Sequence, residues 1–246
     1  MLSTMSKKKS NNLRPEPLSQ ILFEQGFGTR RDCEGLILHG LVDVAGRTVD
    51  DPDEAFLSDG LALRVEGLPW VCHRIALVML HKPAGYECSL KPGAWPGVHN
   101  LLPVPLRRRG LQPVGRLDQD TTGLLLLTDD GPLLHKLTSP KHHVPKVYEV
   151  TVKHPLDVRQ QSALLAGVVL DDDPQPVKAE SADLVSAHHL RLTLTQGKYH
   201  QVKRMVAAVG NRVEALHRSA IGRLTLPDDL AVGQWRWLDE PALVLP

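Results

Sequence analysis

A run of four leucines at 124–127 follows two closely spaced aspartates in the segment GRLDQDTTGLLLLT at 115–128. This apolar run is too short for a helix of its own and is typical of a buried strand, which needs covering layers around it. Asp118 and Asp120 stand just before the strand, beside Arg116, where functional side chains are often presented. The residues alone leave a second interpretation open, in which Asp118 only pairs with an arginine or caps the turn.

The N-terminal part of the chain predicts a small unit of two helices followed by strands. Apolar residues in 18–39 form two helical stripes, separated by glycines that can adopt the positive φ of a helix end. Thr29 can cap the second helix, with Asp32 at its third position. Alternation in 41–67 indicates a hairpin and a further strand. We predict a disordered basic tail at 1–13, this unit at 14–67, a linker at 68–73 and a larger domain at 74–246.

The larger domain contains both strand and helix patterns. The apolar run at 75–80 and the alternating segment at 147–155 indicate strands, whereas 200–211 has the apolar stripe of a helix. Strands and helices follow one another irregularly. This order favours a mixed α+β fold over a doubly wound parallel sheet.

Composition excludes several classes of protein. The 246 residues carry a net charge of +1, which argues weakly against an RNA-binding protein, although the basic residues are locally clustered. Three cysteines without CxxC spacing predict neither a disulfide framework nor a zinc site, and the two histidine pairs lack metal-ligand spacing. The sequence contains no Gly-rich phosphate loop, so no nucleotide cofactor is implied. No apolar run is long enough to span a membrane and no secretory signal is evident, so we expect a cytoplasmic protein.

Three segments in order resemble the pseudouridine synthases. GRLDQDTTGLLLLTDDG at 115–131 is similar to the catalytic motif of the branch that modifies small-subunit ribosomal RNA. HHVPKVYEV at 142–150 resembles the segment with Lys and Tyr two apart, and 194–222 resembles the third motif, with Lys198 where the family often has Arg. KYHQVKRM is closer to the small-subunit branch than the GRNRQVRRM common in large-subunit branches. The first 67 residues resemble an S4-type RNA-binding domain, so the likeness covers nearly all of 14–246.

The resemblance implies a fold and a set of site residues. The fold is a small S4-like α/β domain plus a larger, mainly antiparallel catalytic domain. Asp118 is the implied catalytic carboxylate, Lys203 its counter-charge and Tyr148 the ring that stacks on the uracil. Asp120 is expected to hold the loop through hydrogen bonds, not to react. The implied substrate-binding residues are Arg116, Lys146, Gln201, Arg204, Arg30 and Arg31.

For most of these residues the sequence leaves a structural interpretation open. Tyr148 could be an ordinary strand aromatic and Lys203 a solvated helix lysine. Arg116 could fill the space that the flipped base vacates, or it could pair with Asp118 or Asp120. Further arginines at 107–109 are expected to meet phosphates, with solvated surface charge as the alternative.

The activity that the resemblance implies is isomerisation of uridine to pseudouridine in 16S ribosomal RNA, at the uridine 516 position for which this branch is named. Asp118 either attacks C1′ or removes the proton at C2′, and the sequence does not separate the two. The implied partner is 16S ribosomal RNA or a small-subunit assembly particle; a monomer without cofactor or metal is expected. The alternatives are a 23S ribosomal RNA target and a non-catalytic assembly factor that binds ribosomal RNA.

Overall fold

The structure is a computed structural model that describes residues 14–139, 142–171, 173–238 and 244. The tail predicted at 1–13 lies outside these residues. The chain divides into two compact units. Among the described residues, the first comprises 14–74 together with Val104–Arg109, and the second comprises Ile75–Pro103 together with the residues from Gly110 onward.

The first unit is built from three short helices and two small sheets. Its elements are β1 (Glu16–Pro17), α1 (Leu18–Gln25), α2 (Arg30–Leu38), β2 (Val42–Val44), β3 (Arg47–Thr48), β4 (Ala55–Phe56), β5 (Ala62–Val65), β6 (Leu68–Val71) and α3 (Val104–Arg108). The four-stranded sheet has the order β3-β2-β5-β6, and β1 pairs with β4. The helix ends follow the sequence pattern: Gly26 has a φ of 88° at the end of α1, and Thr29 forms a capping box with Asp32 at the start of α2.

The predicted linker at 68–73 is wrong for most of its length. Residues Leu68–Val71 form a strand that pairs with β5 in antiparallel register. Glu66 and Gly67 both have positive φ, as the two central residues of a type I′ hairpin turn do. The sequence pattern therefore marked a hairpin turn, and the first unit runs on to Arg74. Residues Val104–Arg109, predicted in the larger domain, also belong to the first unit.

The second unit is organised around one large sheet. Its helices are α4 (Gly131–Thr138), α5 (Val158–Ala166), α6 (Gln201–Ala208) and a 3-10 helix (Val98–Leu101). Its strands are β7 (Leu77–Lys82), β8 (Gln112–Pro113), β9 (Thr122–Thr128), β10 (Lys146–Val152), β11 (Val168–Leu170), β12 (Asp173–Val177), β13 (Ser181–Ser186), β14 (His189–Leu194), β15 (Val213–Ile221), β16 (Leu224–Thr225) and β17 (Trp235–Trp237). The sheet order is β13-β14-β10-β15-β9-β7-β17, with β16 beside β15 and β8 beside β9, while β11 and β12 form a separate pair.

The leucine run lies at the centre of this sheet. The leucines of β9 are fully buried, between β7 on one side and β15 on the other. The β9–β15 pair is parallel, and the other described pairs of this sheet are antiparallel. Gly123 permits the close approach of β15, because a Cβ there would lie 2.3 Å from the carbonyl oxygen of Arg218 and the φ of Gly123 is 107°. The segment before β9 is therefore fixed at the middle of the sheet.

The mixed α+β fold with a mainly antiparallel sheet is confirmed. The strand predicted at 75–80 is found at Leu77–Lys82, the strand at 147–155 is Lys146–Val152, and the helix at 200–211 is Gln201–Ala208. Across the part of the chain that the structure describes, no helix has the length and hydropathy of a membrane span. The cytoplasmic location stays a prediction.

Candidate active site

The loop that carries Asp118 joins β8 to β9. A backbone hydrogen bond from Thr121 to the Asp118 carbonyl, at 3.1 Å, closes the loop into a turn just before β9 begins. The Asp118 side chain is 26% exposed and that of Asp120 is 55% exposed. Asp118 is therefore partly enclosed yet open to solvent on one side, as a group that reacts with a large substrate must be.

Lys82, at the end of β7, anchors this loop through its backbone. The Lys82 side chain is fully buried, and its Nζ donates to the carbonyl oxygens of Asp118 (3.0 Å), Gln119 (3.2 Å) and Thr121 (2.7 Å), as well as to that of Pro83. Burial lowers the pKa of Lys82, against the opposing charges of Asp120 and Asp118. One ammonium thus satisfies several carbonyls that the tight turn would leave without donors.

The segment after Lys82 adds two further contacts to the loop. The Gly85 amide donates to the Gln119 carbonyl at 2.8 Å, and the Leu117 amide points at the Cys88 sulfur at 3.5 Å. Burial raises the pKa of the Cys88 thiol, so the neutral thiol packs beneath the loop. Residues 82–88 therefore form a fixed support for the residues on both sides of Asp118.

Lys203, on α6, supplies the counter-charge, but it is shared between two carboxylates. Its Nζ lies 3.2 Å from Asp118 Oδ2 and only 2.7 and 2.9 Å from the two oxygens of Asp120. The sequence analysis expected Lys203 as the counter-charge of Asp118 and expected Asp120 to hold the loop. The observed cluster is one ammonium between two aspartates, with both oxygens of Asp120 bonded to the lysine.

The charges of this cluster shift two pKa values. Burial by itself raises the pKa of Asp120, but the hydrogen bond and charge of Lys203 outweigh it, and the pKa lies below its ordinary value. Burial by itself lowers the pKa of Lys203, but its hydrogen bond to Asp120 and the charge of Asp118 outweigh that, and the pKa is raised. Lys203 is therefore held as a cation beside Asp118.

His200 is a site residue that the sequence reasoning missed. Its Nε2 lies 3.3 Å from Asp118 Oδ1, whereas the 3.2 Å contact of Lys203 is with Asp118 Oδ2. His200 precedes α6 with a φ of 47°, a left-handed conformation that is uncommon for a residue with a Cβ. Such backbone strain is often found at functional sites. The available signal was the spacing, since His200 stands three residues before Lys203 and a helix over the predicted range 200–211 would place both on one face.

Tyr148 lies in a row of side chains that crosses the sheet. It pairs with Arg218 on β15, which pairs with Gly123 on β9, which pairs with Lys82 on β7. Directly paired residues point to the same face of a sheet, so Tyr148, Arg218 and Lys82 share the face of the loop anchor. Tyr148 is 9% exposed. Arg218 is another missed residue, almost fully buried, with its Nε donating to the Leu124 carbonyl at 2.8 Å.

Lys146, two residues before Tyr148, lies on the same face of β10 by strand alternation. Its Nζ donates to the Val144 carbonyl at 2.9 Å. Burial, reinforced by the positive charge of Arg218, lowers the pKa of Lys146 to about 8. A lysine with this pKa is partly neutral near physiological pH, which distinguishes it from Lys203.

The three polar residues predicted around the catalytic pair have different environments. Arg116 is exposed and, among the described residues, pairs with neither Asp118 nor Asp120. Gln201 is buried, its Oε1 accepting from the Lys198 amide and its Nε2 contacting the Met205 sulfur, so we assign it to the turn before α6 and not to the substrate. Arg204 donates to the Tyr199 carbonyl at 3.2 Å.

The predicted phosphate-binding arginines of the first unit fall into two groups. Arg30 and Arg31 are exposed at the start of α2, with the Arg30 guanidinium 4.5 Å above the Phe23 ring. Arg108 and Arg109 instead donate within the unit, to the Phe27 carbonyl at 2.8 Å and the His73 carbonyl at 2.7 Å. Arg108 and Arg109 are therefore engaged within the unit, and contact of 107–109 with phosphates stays a prediction.

No cluster of three or more metal-ligating side chains forms within 14–139, 142–171, 173–238 and 244. Of the two histidine pairs, His189 makes a 2.7 Å contact with Glu149 on the sheet.

Comparison with known proteins shows the family of the chain. Residues 76–208 match the family described as RNA pseudouridylate synthase. The chain belongs to the RNA pseudouridylate synthase family. It is 40% identical over 222 residues to the ribosomal small subunit pseudouridine synthase A of Pasteurella multocida, covering 90% of this chain and 95% of that protein. The protein of the same name from Escherichia coli K12 is 45% identical over 162 residues, covering 66% of this chain and 70% of that protein.

A solved structure described as a crystal structure of pseudouridylate synthase covers 93% of this chain and 98% of its own, with a TM-score of 0.66 and 34% identity. The family membership makes the chain a pseudouridine synthase, an isomerase that acts on RNA.

Proposed function

We propose that this pseudouridine synthase isomerises a single uridine of 16S ribosomal RNA, of the uridine 516 type, with Asp118 as the reacting carboxylate. The arrangement that carries the proposal is Asp118 contacted by Lys203 on one oxygen and His200 on the other, in a loop fixed from behind by Lys82. The small-subunit target is supported by the relatives from Pasteurella multocida and Escherichia coli, whose names assign them to the ribosomal small subunit.

The reaction breaks the N1–C1′ bond of uridine, rotates the free uracil and forms a C5–C1′ bond, after which the proton on C5 is lost and N1 gains one. Asp118 has two chemically consistent roles. Its oxygen bonds to C1′ as the uracil leaves, or it removes the proton at C2′ to give a glycal. Lys203 stays protonated in both, because its raised pKa keeps it charged when the carboxylate contacts the sugar.

The remaining residues bind and orient the substrate. Tyr148 stacks on the flipped uracil, and Arg116, exposed and not paired to either aspartate, occupies the space that the base leaves in the RNA. Lys146 and Arg204 contribute positive charge near the sugar-phosphate backbone. Asp120 fixes Lys203 and does not react.

The first unit is an S4-type RNA-binding domain in this proposal. Arg30 and Arg31 contact phosphates, which position the RNA without reading its sequence. Substitution of both by alanine should weaken RNA binding and flatten its dependence on salt, because fewer counterions are released. An unchanged salt slope would remove the assignment. The enzyme is proposed to act as a monomer in the cytoplasm, without a cofactor.

The decisive experiment is carbodiimide modification of ribosomal RNA followed by primer extension. It compares wild-type cells, cells lacking the protein, and the latter complemented with Asp118→Asn. The proposal expects a small-subunit stop that is lost in both deficient strains and restored by the wild-type gene. Loss of a stop in 23S RNA alone would favour the large-subunit alternative.

The assembly-factor alternative makes a different prediction for the same strains. A non-catalytic protein would leave all stops in place, while its deletion would change the profile of small-subunit particles. Asp118→Asn would then restore that profile completely. An assay outside the cell uses purified protein and a 16S fragment with uridine labelled at C5. Release of tritium from that position measures the activity.

A further inference from the structure

Exposed aromatic side chains of the second unit are found beside the loop of Asp118. The chain has few aromatic residues, with 3 Phe, 3 Tyr and 4 Trp in 246. Within the described part of the second unit, the exposed ones are Tyr199, at 71%, and Trp95, at 47%. Trp95 is near Gly85, whose amide is bonded to Gln119 in the loop, and Tyr199 is next to His200, which contacts Asp118. Core packing does not explain an exposed aromatic ring at either of these places.

The Tyr199 ring is held in a fixed position. It stacks on the His200 imidazole with centroids 3.8 Å apart and planes inclined by 20°. The Tyr199 carbonyl accepts from Arg204, and the turn that contains it is closed by Lys198 and Gln201, which bond in both directions at 2.8 and 3.2 Å. One face of the ring is thus covered by His200, and the rest of the side chain is exposed, on a backbone turn that is held by hydrogen bonds.

We propose that the outer face of Tyr199 binds an unpaired nucleobase of the RNA, next to the target uridine. Enzymes that act on a base take it out of the stack, and its neighbour then loses a stacking partner. Aromatic side chains bind such unstacked bases in single-stranded RNA. The imidazole of His200 separates the outer face of Tyr199 from Asp118, so the base that stacks there is a neighbour of the target, not the target itself.

His200 gains a second role from this arrangement. It contacts the carboxylate on one side and supports the Tyr199 ring on the other, so binding of the neighbouring base is physically joined to the position of Asp118. The imidazole contacts the carboxylate through Nε2 and the Tyr199 ring through its face. Tyr199 is a binding residue in this scheme, and it does not touch the reacting atoms.

The inference rests on the RNA isomerisation proposed above, and its test is separated from it. The RNA is a fragment around whichever uridine the primer-extension experiment identifies. Binding is measured in an Asp118→Asn background, so that turnover does not enter. The variants are Tyr199→Ala, Tyr199→Phe, which keeps the ring, and Val185→Ala, an exposed strand position of the same unit. Each is checked for an unchanged unfolding transition.

Tyr199→Ala is expected to weaken binding about ten-fold, the order of one lost base–aromatic stack, whereas Tyr199→Phe and Val185→Ala stay within about two-fold. The slope of affinity against salt should not change, because no phosphate contact is lost. A second set of RNAs carries an abasic site, placed in turn at each of the two nucleotides on either side of the target. One of these positions should weaken binding by the wild-type protein. At that position Tyr199→Ala should cause no further loss.

Independent, additive losses from Tyr199→Ala and from every abasic site would overturn the proposal, as would unchanged affinity of Tyr199→Ala. A changed salt slope would indicate a displaced phosphate contact and also count against stacking. Failure of the proposed function itself would be seen in the primer-extension experiment, as a stop that does not depend on the protein.

Discussion

Two lysines hold the same loop, and they do so with different chemistry. Lys82, from β7, is fully buried and bonds to backbone carbonyls of the loop. Lys203, from α6, has a partly exposed side chain and contacts the carboxylates of Asp118 and Asp120. The first fixes where the backbone lies, and the second sets the charge around the side chains. The difference implies that stability and catalysis can be changed separately at one loop.

The largest effect is expected on the catalytic side of this comparison. Asp118→Asn keeps the size of the side chain and one of its two accepting oxygens, but it removes the charge that either mechanism needs. We expect the rate of pseudouridine formation to fall at least about a thousand-fold, or about 4 kcal/mol in the activation barrier. Tritium release from labelled RNA measures it. Asp228→Asn, at an exposed site of the same unit, is the control; similar rates for the two variants would refute the assignment of Asp118.

Lys82→Met tests the anchoring side. The change leaves the carbonyls of Asp118, Gln119 and Thr121 buried without their common donor, at a cost of about 3–5 kcal/mol in the free energy of unfolding. Urea denaturation should show this loss, while Lys91→Met, on an exposed loop, changes stability by less than about 0.5 kcal/mol. If Lys82→Met folds with native stability and only loses activity, the division between the two lysines is wrong.

The role of Lys203 could be predicted from the sequence, whereas that of Lys82 could not. Lys203 was accessible because it belongs to a recognisable motif, whereas Lys82 stood in a turn-rich segment with nothing to indicate that its ammonium would bond to a loop 36 residues further on. Contacts of that kind depend on strand order and register, which local patterns do not specify. Tyr148 and the helix of Lys203 were predicted in place, since amphipathic periodicity is local. The strand Leu68–Val71, which follows the turn at Glu66–Gly67, was mistaken for part of a linker because turn residues look alike in both settings.

Lys203→Met should affect the rate more than the fold. Without the ammonium, Asp118 and Asp120 face each other as like charges, so we expect a loss of activity of about a hundred-fold, equivalent to about 2.7 kcal/mol. Stability should change by no more than about 1 kcal/mol, because the cluster is partly exposed. Lys203→Arg should recover part of the activity. A stability loss as large as that of Lys82→Met would mean that Lys203 is mainly an anchor.

A third lysine, Lys146, extends the comparison to pH. Its folded pKa of about 8 lies below the ordinary lysine value of 10.5, so the unfolded chain binds more protons between these values and stability from this group rises with pH. Below pH 8 both states are protonated and the penalty is complete. Lys146→Met removes the penalty, so its stability advantage over wild type should shrink by on the order of 1–3 kcal/mol between pH 8 and 10.5. A constant difference across that range would contradict the burial of a charged Lys146.

Asp120→Asn gives the smallest effect and the finest distinction. The amide still accepts a hydrogen bond from Lys203, but it no longer competes with Asp118 for the positive charge. Two consequences oppose each other: Lys203 becomes a more exclusive partner of Asp118, yet it is held less firmly. We expect activity to change by about ten-fold or less, with stability within about 0.5 kcal/mol because the Asp120 side chain is more than half exposed. The pKa of Lys203 should fall, since Asp120 contributes to its elevation, and NMR titration of the labelled lysine measures this directly. A loss of activity as deep as that of Asp118→Asn would make Asp120 a reacting group and would replace the single carboxylate by a pair.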